Sequence, residues 1–191
     1  GYKIKFKARG SASVASIPAG DLDARASGDS PGVRITDSRE MDLVVPRKVT
    51  VQYLDTVREY DINSQYAERI NTDAVNERSI DLPIVLTASE AAKKAEMLLY
   101  LYWLERYDIS FVLPSAYAQI EPGDTITVQS DLASYELRVT STNTMPDGRI
   151  ECRAKYNSAA VYTPTAQGEE GQSVGAALAL DGPSSFKLLD I

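Results

Sequence analysis

Ile80-Asp81-Leu82-Pro83-Ile84-Val85-Leu86-Thr87-Ala88-Ser89-Glu90, continuing through Ala91-Ala92-Lys93-Lys94-Ala95-Glu96 to Met97-Leu98-Leu99-Tyr100-Leu101-Tyr102-Trp103-Leu104, is the stretch on which the fold turns. Its first seven residues read as a strand. Pro83 has no amide to give a ladder, which restricts that strand to a sheet edge or a bulge. Thr87-Ala88-Ser89-Glu90 has the form of a capping box, a Thr oxygen for the free amide three residues on and a Glu reaching back. Ala91, Ala92, Ala95, Leu98, Leu99 and Tyr102 follow at three- and four-residue spacing, which predicts a helix over about 88–107, roughly 20 residues or ~30 Å long. Lys93, Lys94 and Glu96 give its first half a wet face. Residues 97–104 are apolar around nearly the whole circumference, as in a helix covered on several sides.

Strand patterns lie on both sides of this helix. Downstream, Ile109, Phe111 and Leu113 alternate with polar or small residues until Pro114. Glu121-Pro122-Gly123-Asp124 is a turn, and Thr125-Ile126-Thr127-Val128-Gln129 a strand after it. Tyr135, Leu137 and Val139 then face Ile150, Cys152, Ala154 and Tyr156 in a hairpin closed by Pro146-Asp147-Gly148. Upstream, Val49-Thr50-Val51-Gln52-Tyr53 is a strand entered through Pro46, and Val33-Arg34-Ile35 a shorter one. Tyr2, Ile4 and Phe6 alternate with Lys3, Lys5 and Lys7 as a half-buried or edge strand, and the lysines would guard an edge. Residues 8–32 read as a long loop with one short helix, anchored at Ile17-Pro18 and Asp21-Leu22, and 55–76 as a polar hairpin or excursion. From Pro164 the composition turns to Gly, Ala, Ser, Gln and Glu. The expected organisation is therefore a β-rich body over 1–163, with two subdomains joined by the helix, a flexible linker over 164–185, and the start of a further domain at 186–191.

Composition narrows the function classes. The 191 residues hold 43% hydrophobic and 25% charged residues, no stretch long and apolar enough to span a membrane, and an N-terminus that alternates basic and apolar residues unlike a signal peptide. A net charge of −7 with dispersed Lys and Arg opposes binding to a phosphate backbone. A single cysteine, Cys152, excludes an internal disulfide. The absence of histidine removes Ser-His-Asp and Cys-His catalysis and His-based zinc sites.

The remaining candidates for chemistry read more simply as structure. Asp21, Asp23 and Asp29 lack the spacing of a calcium loop. Asp55, Glu59 and Asp61 would supply a glycosidase carboxylate pair only at separations of ~5 to 9.5 Å with one raised pKa, and a solvated loop explains them. Pro122-Gly123-Asp124-Thr125-Ile126-Thr127-Val128 has the turn and strand of a short glycan-binding module without its two helices. Cys152 falls on an apolar strand face as a small core residue. Tyr100, Trp103 and Tyr107 are candidates for a subunit interface, where Tyr and Trp are enriched, as well as for the core. No catalytic, metal-binding or cofactor-binding residue is assigned.

The order of segments resembles the tail-tip hub proteins of siphophages and gene transfer agents, in the region after their TIM-barrel-like domain. Five segments carry the resemblance: Asp42-Leu43-Val44-Val45-Pro46 leading through Val49 to Tyr53-Leu54-Asp55, with Tyr60 after it; Ile80 to Thr87 running into Ala91-Ala92-Lys93-Lys94-Ala95-Glu96; Leu113-Pro114; Ile120-Glu121-Pro122-Gly123-Asp124; and Leu188-Leu189-Asp190-Ile191. It covers roughly 14–191 and rests on the order of the motifs. It implies a virion structural protein at the distal end of the tail, assembled in the bacterial host cytoplasm, trimeric there, with other tail proteins as partners and no cofactor. The family offers no catalytic residue to carry over. The expected fold is α+β, mainly antiparallel strands in small barrel-like sheets around the helix. A carbohydrate- or receptor-binding module is the alternative function, and a glycosidase fragment a remoter one.

Overall fold

The computed structural model describes residues 6–22, 24–25, 28–30, 34–130 and 133–170. Its elements in chain order are β1 (Ala15–Ile17), a 3-10 turn (Ala19–Leu22), β2 (Thr36–Arg39), β3 (Pro46–Asp55), β4 (Asp61–Glu68), β5 (Asn76–Leu86), α1 (Ala88–Leu104), β6 (Tyr107–Leu113), a 3-10 turn (Ser115–Tyr117), β7 (Thr125–Gln129), β8 (Ser134–Thr144), β9 (Ile150–Tyr156) and a 3-10 turn (Ala159–Tyr162). The strands form a six-stranded sheet in the order β1-β7-β8-β9-β6-β2 and a three-stranded sheet in the order β4-β3-β5. The class is α+β as expected. Both sheets are mixed, because β1 runs parallel to β7 and β3 parallel to β5, and neither closes into a barrel among the described residues.

The smaller sheet grows from β3, whose alternation buries Val49, Val51 and Tyr53 on one face. β4 folds back as a hairpin, with Asp55 opposite Asp61. The chain then crosses the far end of β3 to lay β5 on its other side, Pro46 opposite Asn76. Between Gln52 and Leu54 of β3, β5 advances from Asp81 to Val85, so Leu82, Pro83 and Ile84 stand against Tyr53 alone, and the two extra residues form the irregularity that Pro83 announces on this edge strand.

Helix α1 packs across β3 and β4. Its capping box is formed: the Glu90 amide donates to Thr87 Oγ1 (3.3 Å) and the Thr87 amide to Glu90 Oε2 (2.9 Å). Such a cap contributes about 1 kcal/mol. The helix ends at Leu104, short of the expected 107, with the Glu105 amide closing its last turn on Leu101 O. Tyr107 belongs instead to the period of two that continues through Ile109, Phe111 and Leu113, and it pairs with Arg39 of β2. Ala88, Ala91, Ala92 and Ala95 are buried. These small side chains admit close cover on a second side, where Pro164, Ala166 and Gly168 are the less exposed residues of an extended strap. The Thr165 and Ala166 amides donate to Glu96 Oε2 (2.9 and 2.8 Å), and Gln65 Nε2 to Glu169 O (2.8 Å). A Cβ on Gly168 would lie 2.1 Å from the Ala88 carbonyl oxygen, so only glycine allows this approach.

The six-stranded sheet turns one face into a single core. Ile126, Val128, Leu137, Val139, Cys152, Ala154, Phe111 and Leu113 line it, with Ile17 from β1 and with Leu22 and Ile120 from connecting segments. Each such burial contributes about 1.5–3 kcal/mol. The turn before β7 has Gly123 at φ 92, and the β8–β9 turn has Gly148 at φ 85, as their sequences require. One extra residue, Thr140, bulges from β8, and its hydroxyl donates to Arg153 O (3.0 Å). Ile17 and Leu22 are the anchors expected of the 8–32 loop, and the short helix is the 3-10 turn between them. The proposed strand at 2–6 and the segments 171–185 and 186–191 fall outside the described residues, except Phe6, which is exposed. Of the expected strand at 33–35, Val33 also falls outside, and the observed β2 begins at Thr36.

Candidate interaction surfaces

The three aromatic candidates do not share one surface. Trp103 is 7% exposed and packs with Val45, Val49, Ala74 and Leu99. Its indole N–H donates to Pro46 O (2.9 Å). The Arg69 guanidinium stands 4.4 Å from its ring centre and that of Arg106 5.0 Å. Arg106 lies 5.0 Å from the Tyr107 ring as well, and Tyr107 meets Tyr156 edge-on at 5.1 Å. Tyr135 extends the row at 5.8 Å from Tyr156. Asp42 neutralises the row, accepting from Arg106 (2.8 Å) and Arg39 (2.6 Å), and the Arg39 hydrogen bond holds its carboxyl below the usual range. Tyr100 stands apart and is 45% exposed. Trp103 and Tyr107 thus belong to an internal ladder of rings and guanidiniums from the smaller sheet to the larger, and Tyr100 alone offers its ring outward.

The end of α1 completes the joint. Glu105 Oε1 accepts from Arg9 and Arg138 (2.8 Å each), and its carbonyl from Lys155 Nζ (2.8 Å). Arg138 and Lys155 come from β8 and β9, so two cations of the larger sheet meet the negative end of the helix dipole.

The acidic residues weighed for catalysis hold turns. Asp55 is buried, accepts from the Val57 amide (2.9 Å) and from Asn63 Nδ2 (2.8 Å), and fixes the β3–β4 loop in which Glu59 and Tyr60 have φ of 55 and 66. Asp61 pairs with Arg58 at 3.3 Å. Asp21 accepts from the Tyr117 hydroxyl (2.6 Å), and Asp23 lies outside the described residues. Burial pushes the Cys152 thiol up to about 11, which makes it a poor nucleophile. Among the described residues no group of three or more Asp, Glu or Cys is placed to hold a metal ion. A cavity of about 300 Å³ beside β2 and β6 is lined by Asp29, Arg149 and Glu151, and it adjoins one of about 260 Å³ that shares Thr36, Ser110 and Glu151. Both are recesses of mixed polar and apolar lining.

What composition alone did not locate is the exposed apolar surface, most of which belongs to the smaller sheet. At the end where β3 begins, Met41, Leu43, Val44, Ile70 and Val75 stand out from two loops tied together by the Asn76 side chain donating to Leu43 O. At the other end, Val57, Tyr60, Ile62, Ile84 and Val85 are exposed around a groove of about 190 Å³ lined by Leu54, Leu82 and Pro83. Large apolar residues inside otherwise polar, aperiodic loops are the sequence signal that marks them.

Residues 1–142 match the model of the family described as "Putative phage tail protein". The chain belongs to this phage tail protein family. Among curated protein sequences none matches it. Of solved structures, a chain in the virion of a native gene transfer agent particle is similar at a TM-score of 0.72 and 19% identity, over 83% of this chain and 35% of that one. That likeness is one of fold, and this phage tail protein spans about a third of the length of the chain it matches. A tail protein from Neisseria meningitidis (TM-score 0.45, 15% identity, 78% of this chain and 46% of that one) is also similar. So is the 43 kDa tail protein of prophage MuSo2 from Shewanella oneidensis (0.46, 12%, 80% and 47%).

Proposed function

We propose that this phage tail protein is a piece of the baseplate hub at the tail tip, standing as a homotrimer between the tail tube and the host-attachment or cell-penetrating parts. Family membership over 1–142 carries the reading. The fold shared with a gene transfer agent virion chain and the ordered hub-like segments support the finer placement. The work is mechanical and needs no reaction. A hub must hold fixed angles between neighbours, and the ladder from Arg69 to Tyr135 with the Glu105 joint ties helix and both sheets into one body. Tyr100 is the aromatic of the helix left for a neighbouring chain, and Trp103 and Tyr107 act beneath it by keeping the helix end rigid. Residues 1–163 form the body, and the strap over 164–170 lies against its helix. Assembly takes place in the host cytoplasm.

Immunogold labelling of intact particles with antibody to this chain tests the placement. Gold at the distal tip, in one cluster per particle, is the expected result. Gold along the whole tube would make the chain a tube subunit and overturn the hub reading.

A further inference from the structure

We infer that the two ends of the three-stranded sheet are the two halves of one head-to-tail contact between copies of this chain. The inference rests on the homotrimer proposed above and names the surfaces that close it. Each end exposes on the order of 500 Å² of apolar side chain, so joining one to the other buries ~1,000 Å², the lower bound of a specific interface, and ring closure repeats the contact. One such patch is already near the upper limit for a monomer, and this chain carries two.

Their position sets the symmetry. The patches sit at opposite ends of β3, ten residues or ~30 Å apart, and a contact that joins unlike ends is heterologous, which generates a ring when its rotation closes. Charge selects the same pairing. Around the second end Glu59 and Asp81 are exposed, and Arg58, the cation there, is taken by Asp61, so two copies of that end repel. At the first end Arg69 and Arg78, also exposed, rest on Trp103 and Tyr102, with Asp42 acting on Arg69 and with Glu40 and Asp73 there too. Unlike ends thus bring guanidiniums to carboxylates.

Ile70→Asp disables the first end and Ile62→Asp the second. Both residues are exposed, and an unchanged far-ultraviolet circular-dichroism spectrum with a cooperative melt establishes that each variant is folded. By multi-angle light scattering across a concentration series, wild type should reach three times the monomer mass and each variant should remain at one. An equimolar mixture of the two variants retains one sound first end and one sound second end. It should therefore give a species of twice the monomer mass and nothing larger. A mixture that stays monomeric, or one variant that keeps the wild-type mass, overturns the head-to-tail pairing. A trimer kept by both variants removes these surfaces while leaving the homotrimer. A wild type monomeric at every concentration removes the homotrimer along with them.

Discussion

Replacing Trp103 by Phe isolates the contacts that hold the helix end. Phe keeps the ring against Val45, Val49 and Leu99 but has no N–H for Pro46 O, which lies 2.9 Å from the indole nitrogen in a buried position. A buried carbonyl left without its donor costs about 1–3 kcal/mol. Arg69 and Arg106 exchange an indole for a weaker phenyl ring, losing part of the about 0.5–1 kcal/mol that each stack contributes. The missing five-membered ring leaves a small void, on the order of 1 kcal/mol. The loss should be ~3 kcal/mol, equivalent to a fall of about 6–12 °C in Tm for a domain of this size. Urea unfolding followed by far-ultraviolet circular dichroism reads it without depending on tryptophan fluorescence. A loss below about 1 kcal/mol would refute the reasoning, since even the bare carbonyl alone should exceed it. A variant as stable as wild type but altered in mass would instead place Trp103 at a subunit contact.

Two further perturbations probe the strap and the larger core. Gly168→Ala puts a methyl group 2.1 Å from the Ala88 carbonyl oxygen, so the strap must lift; hydrogen exchange at Thr165 and Ala166 should accelerate while exchange in β8 and β9 stays as it was, and wild-type protection at both amides would refute the contact. Cys152 should resist a maleimide at pH 8 until the domain unfolds, because the thiol is buried and protonated, with a pKa near 11. The folded chain keeps this proton above the ordinary thiol value of ~8.5 where the unfolded chain loses it, so stability should fall as pH rises from ~8.5 through 11. Labelling at the rate of a free thiol, with the fold intact, would count against the burial.

The elements easiest to read were those whose signal is local. Thr87 and Glu90 announce the start of α1 because both halves of the cap lie within one turn of chain. The hairpin of β8 and β9 shows because alternation and turn chemistry agree. β1 was not legible. Its three residues, Ala15–Ile17, are too few for a period, and what makes them a strand is parallel pairing with Ile126 to Val128, far along the chain. The parallel partnership of β3 and β5 was hidden for a similar reason, since the crossing loop that decides it carries no turn signature. Trp103 shows the same limit at a candidate site. An apolar helix end fits a core as well as an interface, and what Trp103 touches is Arg69 and Pro46, neither of which adjoins it in sequence.

The joint between the sheets shows why this chain suits a mechanical task. Exposed ion pairs contribute little singly, because water screens them and long side chains lose freedom in forming them. Here the charges are shared: one Glu105 oxygen takes Arg9 and Arg138, one Asp42 oxygen takes Arg39 and Arg106, and Arg106 also lies between two rings. Tilting α1 against the larger sheet would disturb all of these together, whereas breaking any one leaves the others to hold the angle. Stiffness therefore comes from coupling, and only double-mutant cycles reveal it. In this phage tail protein, polar side chains are spent in this way on holding α1 at a fixed angle to the larger sheet.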